Sequence, residues 1–76
     1  MQEEFEAYKE KYLDVISKNI KAFREAKGYS QETLSEMINC SREFVNRVEN
    51  RKEDVSLKTL FKLAYHLDVS PESFYN

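Results

Sequence analysis

The sequence predicts one small all-α domain of five helices, and three observations support this prediction. Hydrophobic residues make up 41% of the 76 residues and include five Tyr and five Phe, which is enough for one ordered core. One Gly and one Pro leave almost no residues for the tight turns of β-hairpins. Apolar residues recur every three or four positions, which is the helical period. A chain this short cannot close a second core, so multidomain enzymes are excluded.

The first and longest helix is predicted from Glu3 to Lys27. Gly28 follows it and supplies the left-handed residue that commonly ends a helix. One apolar stripe runs along this helix and consists of Phe5, Tyr8, Tyr12, Ile16, Ile20 and Phe23.

Four shorter helices are predicted, each beginning at a serine that acts as its N-cap. These serines are Ser30, Ser41, Ser56 and Ser70, and Pro71 stands at the first position of the last helix. The residues expected to face the core are Leu34, Met37 and Ile38, then Phe44, Val45 and Val48, then Leu57, Leu60, Phe61, Ala64 and Leu67. The fifth helix, of about one turn, carries Phe74 and Tyr75.

The charges are unevenly distributed along the chain. The formal net charge is −2, but residues 17–52 carry eight Lys or Arg against five Glu. Residues 1–16 carry two Lys against five Asp or Glu, and residues 53–76 carry two Lys against four. A basic zone therefore lies between two acidic ends, and the negative total does not exclude a nucleic-acid partner.

Several classes of function are excluded by what the sequence lacks. Cys40 and His66 could form a nucleophilic pair only with an orienting group and an oxyanion site, and no motif supplies either, so we expect no enzyme activity and an inert Cys40. A single Cys and no His or Cys cluster predict neither metal nor cofactor, and a cytoplasmic location. The longest apolar run, Leu63 to Tyr65, is too short to span a membrane.

Residues 31–50 have the spacing of two short helices that cross closely. Ser35 is small where the two axes would approach, Asn39 tolerates the left-handed conformation of the turn, and Val45 would fill the space beneath the second helix. This spacing predicts a helix-turn-helix.

The chain also resembles a known family in this region. Ser30-Gln31, Glu49-Asn50 and the segment Ser56-Leu57-Lys58-Thr59-Leu60 occur together at the spacing of the lambda-repressor-like, or Cro-type (XRE-type), helix-turn-helix domains. The resemblance implies a five-helix DNA-binding domain over residues 13–76. Residues 1–12 would then form an N-terminal helical extension.

The sequence departs from the family pattern at four positions. Ser35 replaces the usual Ala, Val55 a frequent Pro, and Asn39 and Arg51 replace Gly. Arg51 would be strained by about 1–2 kcal/mol in the left-handed conformation that the glycine uses. Either the loop is rearranged there, or an additional cation beside DNA phosphates offsets the strain.

The helix around residues 42–50 is the predicted DNA-reading element, because its outward face is polar. We expect its N-terminal part to meet base edges through Arg42, Glu43, Asn46 and Arg47. We expect the DNA backbone to be contacted by Gln31, Ser41, Asn50, Arg51 and Lys52; for Gln31 this role is implied by the resemblance. The resemblance also implies that Arg24 and Glu49 form a structural ion pair.

The resulting functional hypothesis is a sequence-specific regulator, a repressor, that binds double-stranded DNA as a homodimer. The alternative is an antitoxin or another protein-interaction module built on the same fold. Residues 1–12 either lengthen the first helix so that it covers the fourth and fifth, or form a contact between copies. The candidate contact surfaces, for a second copy or another protein, are Phe5, Tyr8 and Tyr12, or Phe74 and Tyr75.

Overall fold

The computed structural model describes all 76 residues as four α-helices and one short 3₁₀ helix, with no strand. None of the helices is long and apolar enough to cross a membrane. The α-helices are α1 (Gln2–Ala26), α2 (Gln31–Met37), α3 (Phe44–Glu49) and α4 (Leu57–Leu67), and the 3₁₀ helix spans Pro71–Tyr75.

Helix α1 ends as the sequence predicts, and its first half is largely exposed to solvent. Gly28 has φ 74°, and the next amide, that of Tyr29, donates to the Arg24 carbonyl at 3.2 Å, which closes the helix end. Residues 1–12 continue the same helix and are all exposed. The expected cover of the fourth and fifth helices is therefore only partial: Phe5, Tyr8 and Tyr12 line a groove together with Tyr75 of the 3₁₀ helix.

Two of the predicted serine caps, those of α2 and α4, are present. The Ser30 hydroxyl accepts from the Thr33 amide at 2.9 Å, and the Ser56 hydroxyl accepts from the Thr59 amide at 3.1 Å. The prediction was wrong for α3, which begins at Phe44 and has no cap from Ser41.

The cap of α3 comes from α2 instead. The Ser35 hydroxyl accepts from the Val45 amide at 3.0 Å and donates to the Gln31 carbonyl at 2.8 Å. Ser35 is fully buried, so its small volume lets the helices approach and its hydroxyl satisfies a buried amide of α3. Helices α2 and α3 are therefore joined by a hydrogen bond as well as by packing.

The predicted fifth α-helix is a 3₁₀ helix. Ser70 and Pro71 begin it, and the Ser73 amide bonds the Ser70 carbonyl, an i to i+3 contact. The amide of Asn19 in α1 donates to the carbonyls of Phe74 at 2.9 Å and Asn76 at 2.8 Å. These two carbonyls are thus bound by a side chain of α1, which holds the short helix against α1.

The core lies between α1, α2, α3, α4 and the 3₁₀ helix. Within α4 the inward residues include Leu63, whereas Leu57 and Phe61 are 63% and 50% exposed, so their predicted burial was wrong. Phe74 is fully buried and cannot contact a partner, while Tyr75 remains exposed. The buried apolar residues are Ile20, Leu34, Ile38, Val45, Val48, Leu60, Leu63, Ala64, Leu67 and Phe74.

The Ser35 cap predicts a difference between two Ser→Ala substitutions. Ser35→Ala leaves the buried Val45 amide without its acceptor and should lower the free energy of unfolding by about 1–2 kcal/mol. Ser41→Ala is the matched control, because the Ser41 hydroxyl makes no cap bond, and should change stability by less than about 0.5 kcal/mol. Urea denaturation measures both, and equal midpoints for the two variants would contradict the assignment of the cap.

Candidate nucleic-acid interface

A buried ion pair between Arg24 and Glu49 fixes α3 to α1. Arg24 Nε donates to Glu49 Oε2 at 2.7 Å and Arg24 Nη2 donates to Oε1 at 3.0 Å, so the contact is bidentate. The side chains are only 10% and 4% exposed. The hydrogen bonds that Arg24 donates to Glu49 raise the pKa of Arg24 above its ordinary value. The third nitrogen of Arg24 donates to the Tyr29 carbonyl at 2.8 Å, so each nitrogen of the guanidinium makes a hydrogen bond.

From this pair a row of hydrogen bonds leads to the outer face of α3. Gln31 Nε2 donates to Glu49 Oε1 at 2.9 Å, and Asn46 Nδ2 donates to Gln31 Oε1 at 3.0 Å. Gln31 lies at the first position of α2, so α1, α2 and α3 all contribute to the row. Gln31 was expected to contact phosphate, and in the structure its amide lies between Glu49 and Asn46.

The predicted base-reading residues lie on one surface but not on one helix. Arg42 and Glu43 belong to the turn before α3, whereas Asn46 and Arg47 are on α3 itself. Ser41 begins that turn, and its carbonyl accepts from the Phe44 amide at 3.1 Å. A shallow cleft opens here whose lining residues are all polar: Gln31, Glu32, Arg42, Glu43 and Asn46.

Two arginines on this surface are paired with carboxylates. Arg42 pairs with Glu32, and the hydrogen bond that it donates to Glu32 raises the pKa of Arg42. Arg47 pairs with Glu53 at 3.1 Å. Both pairs are exposed, and such pairs are worth only about 0–1 kcal/mol.

The end of α3 is held by α1. Arg51 has φ 61°, so it takes the strained left-handed conformation that the family's glycine uses. Its guanidinium lies 2.5 Å from Glu10 and 3.4 Å from Asp14, both on α1. These two ion pairs with α1 offset part of the strain at Arg51, and the sequence did not indicate them. Lys52, one residue further on, is exposed and makes no ion pair.

Asn39 takes the conformation that the sequence predicts, and Asn50 ends α3. Asn39 has φ 62° in the turn between α2 and α3, which is the left-handed conformation expected there. Asn50 directly follows α3 and donates through Nδ2 to the Asn46 carbonyl at 2.8 Å. Asn50 is exposed, so its amide retains further hydrogen-bonding capacity for solvent or DNA.

Comparison with known proteins identifies the family. Residues 20–74 match the helix-turn-helix family HTH_3. The chain is 32% identical over 57 residues to the control protein C.SmaI of Serratia marcescens, a match covering 75% of this chain and 68% of that protein. It is 34% identical over 56 residues to the hypothetical transcription factor of Neisseria meningitidis serogroup B, covering 74% of this chain and 53% of that one.

Solved structures share the arrangement of the helices. The Neisseria transcription factor superposes with a TM-score of 0.81 at 29% identity, over 86% of this chain and 75% of that one. The restriction-modification controller protein C.AhdI of Aeromonas hydrophila superposes with a TM-score of 0.78 at 36% identity, over 83% and 96%.

The chain therefore belongs to the helix-turn-helix family HTH_3. It is a DNA-binding protein of the class that regulates transcription. The resemblance seen in the sequence is thereby confirmed.

The buried pair predicts a large loss of stability when one partner is removed. Glu49→Ala leaves the Arg24 guanidinium buried without its carboxylate, and the free energy of unfolding should fall by about 3 kcal/mol or more. Glu53→Ala removes the carboxylate of the exposed pair with Arg47 and serves as the control, with an expected change below about 1 kcal/mol. Urea denaturation measures both variants. An unchanged midpoint for Glu49→Ala would show that the pair does not hold α3.

Proposed function

We propose that the protein is a sequence-specific repressor that places α3 and the preceding turn in the major groove of duplex DNA. The observation that carries this proposal is the cleft lined by polar residues beside α3, a helix that hydrogen bonds hold to α1 and α2. The lining residues are Gln31, Glu32, Arg42, Glu43 and Asn46. Arg and Asn side chains match the base edges of the major groove, and Glu accepts from cytosine. Phosphates would be met at the ends of this surface, by Lys52 and the groups around Asn50.

The carboxylates beside the arginines do not prevent DNA binding. Each exposed ion pair contributes about 0–1 kcal/mol, whereas Arg gains about 1–3 kcal/mol of discrimination from a bidentate contact with a base. It is therefore favourable for a base edge to replace Glu32 as the partner of Arg42. The same holds for Glu53 and Arg47. The acidic ends of the chain limit non-specific binding because they repel the DNA backbone.

The relatives support a regulator over an antitoxin. One is a control protein, another is a restriction-modification controller protein and a third is a hypothetical transcription factor. The alternative, a module that binds another protein, is supported by the exposed aromatic residues of α1. Phe5 and Tyr8 are 58% and 64% exposed, so a partner could cover them.

Base reading and backbone contacts should respond differently to mutation. Arg42→Ala or Asn46→Ala should cost about 1–3 kcal/mol on an operator selected from random duplexes and almost nothing on random DNA. Lys52→Ala should weaken both DNAs by a similar factor and reduce the slope of log affinity against log salt by about one per contact. Fluorescence anisotropy at several salt concentrations measures these quantities. An unchanged ratio of operator to random affinity in Arg42→Ala and Asn46→Ala would reject sequence reading by this surface.

Binding as a homodimer follows from the size of the reading surface. One helix of this kind reads a half-site, so two copies about 34 Å apart are needed for a full site. The candidate contacts are the aromatic residues Phe5 and Tyr8 of α1, and Tyr75, which lies 45% exposed beside a groove shared with α1. Because Phe5, Tyr8 and Tyr75 line the same groove, Phe5→Ser with Tyr8→Ser, and separately Tyr75→Ser, should each weaken a dimer that forms through it.

Sedimentation with and without operator DNA measures the dimer. Lys58→Ser is a suitable control because Lys58 is exposed and makes no ion pair. A wild-type protein that stays monomeric both free and on its selected operator would contradict the homodimer.

A further inference from the structure

We infer that Gln31 is a positioning residue that orients Asn46 to read adenine in each half-site. This inference rests on the proposed function and adds to it a named base and a role for Gln31 other than phosphate binding. It is carried by the direction of the hydrogen bonds that join Glu49, Gln31 and Asn46.

The direction of the row is set at its buried end. Both oxygens of the Glu49 carboxylate already accept from Arg24, so this group acts as an acceptor towards Gln31 as well. The atom of Gln31 that lies 2.9 Å from it must therefore be the nitrogen. The reverse orientation would place the Gln31 carbonyl oxygen against a carboxylate oxygen in a nearly dry environment, where two acceptors repel.

The orientation of Gln31 in turn fixes the orientation of Asn46. With its nitrogen on Glu49, Gln31 presents its oxygen to Asn46, and only a donor is favourable at the 3.0 Å separation. Asn46 must therefore place Nδ2 towards Gln31. Its Oδ1 and one N–H of Nδ2 remain, and Asn46 is exposed at the polar cleft where these groups are open to DNA.

These remaining groups are one acceptor and one donor. Adenine shows the complementary pair in the major groove, a donor at N6 and an acceptor at N7. Guanine shows two acceptors, O6 and N7, and its O6 would face the Oδ1 of Asn46. An asparagine free to rotate could turn its amide to lessen this clash, whereas one held by Gln31 cannot. The buried charge of Glu49 thus sets which purine is preferred at the surface.

These hydrogen bonds also leave Gln31 little capacity to bind a phosphate. Its oxygen is taken by Asn46 and one N–H by Glu49, so a single N–H remains for a phosphate. A positioning role predicts that Gln31 affects which base is bound, and a phosphate role predicts that it affects all sequences alike.

The test begins with selection of duplexes from a random pool by the wild-type protein. The selected sites should carry adenine at one fixed position of each half-site. Replacing that adenine by 7-deazaadenine, which lacks the N7 acceptor, should weaken wild-type binding about 5-fold or more and leave Asn46→Ala binding unchanged. This arm uses an intact protein and does not depend on how any variant of Gln31 folds.

The second arm substitutes Gln31. Gln31→Met keeps the length of the side chain and removes both hydrogen bonds, and it should lower the preference for adenine over guanine about 5-fold or more. Gln2→Met, a change of the other glutamine on the exposed start of α1, is the control and should preserve the preference. Thermal unfolding of both variants verifies the fold.

The outcomes separate this inference from the proposed function. If no duplex sequence is enriched, the proposed function fails. If a sequence is enriched but 7-deazaadenine binds as well as adenine, the orientation of Asn46 is not used and the inference is overturned. Equal loss of affinity for the adenine and guanine sites in Gln31→Met would assign Gln31 to a phosphate and would also overturn it.

Discussion

The buried contact between Arg24 and Glu49 is the constraint on which the position of α3 depends. Helix α3 spans only Phe44–Glu49, and a helix this short has little stability of its own. It is held at its start by the hydroxyl of Ser35 and at its end by the guanidinium of Arg24. The first hydrogen bond comes from α2 and the second from α1. The surface formed by α3 is therefore fixed by the neighbouring helices rather than by the helical preference of α3 itself.

The charge of the buried Glu49 carboxylate links the core to the outer surface of α3. A buried ion pair stabilises a fold little compared with an apolar core of the same shape, because desolvating both charges is costly. In this protein the pair sets the direction of the hydrogen bonds that lead from it to the surface. Glu49 must be an acceptor, so Gln31 and then Asn46 are oriented in turn. Arg51, held by Glu10 and Asp14, similarly connects the acidic first half of α1 to the loop after α3.

The sequence predicted the fold well where local signals decide it. Gly28, Asn39, Ser30 and Ser56 take the conformations or make the caps expected of them, because these depend on residues three or four positions away. The α3 cap was missed because its acceptor, Ser35, lies ten positions from the Val45 amide, and no local pattern records such a contact.

The other differences have the same origin in tertiary structure. Leu57 and Phe61 were expected to be buried because they fit the helical period of α4, but the inward direction is set by where α1 and α2 pack. The pairs of Arg42 with Glu32 and of Arg47 with Glu53 join separate elements, so helical spacing within α3 could not reveal them. The hydrogen bonds from Glu49 through Gln31 to Asn46 likewise join α3 to α2. The presence of Gln31 was visible in the sequence, but the direction of its amide was not.

The central claim is that DNA meets the surface formed by α3, the turn before it and the start of α2. Titration of the ¹⁵N-labelled protein with duplex DNA at low salt tests this claim residue by residue through amide chemical shifts. The account predicts that the largest changes lie in residues 31–32, 41–47 and 50–52. Changes confined to residues 5–12 and to the region around Tyr75, with the α3 surface unaffected, would contradict it.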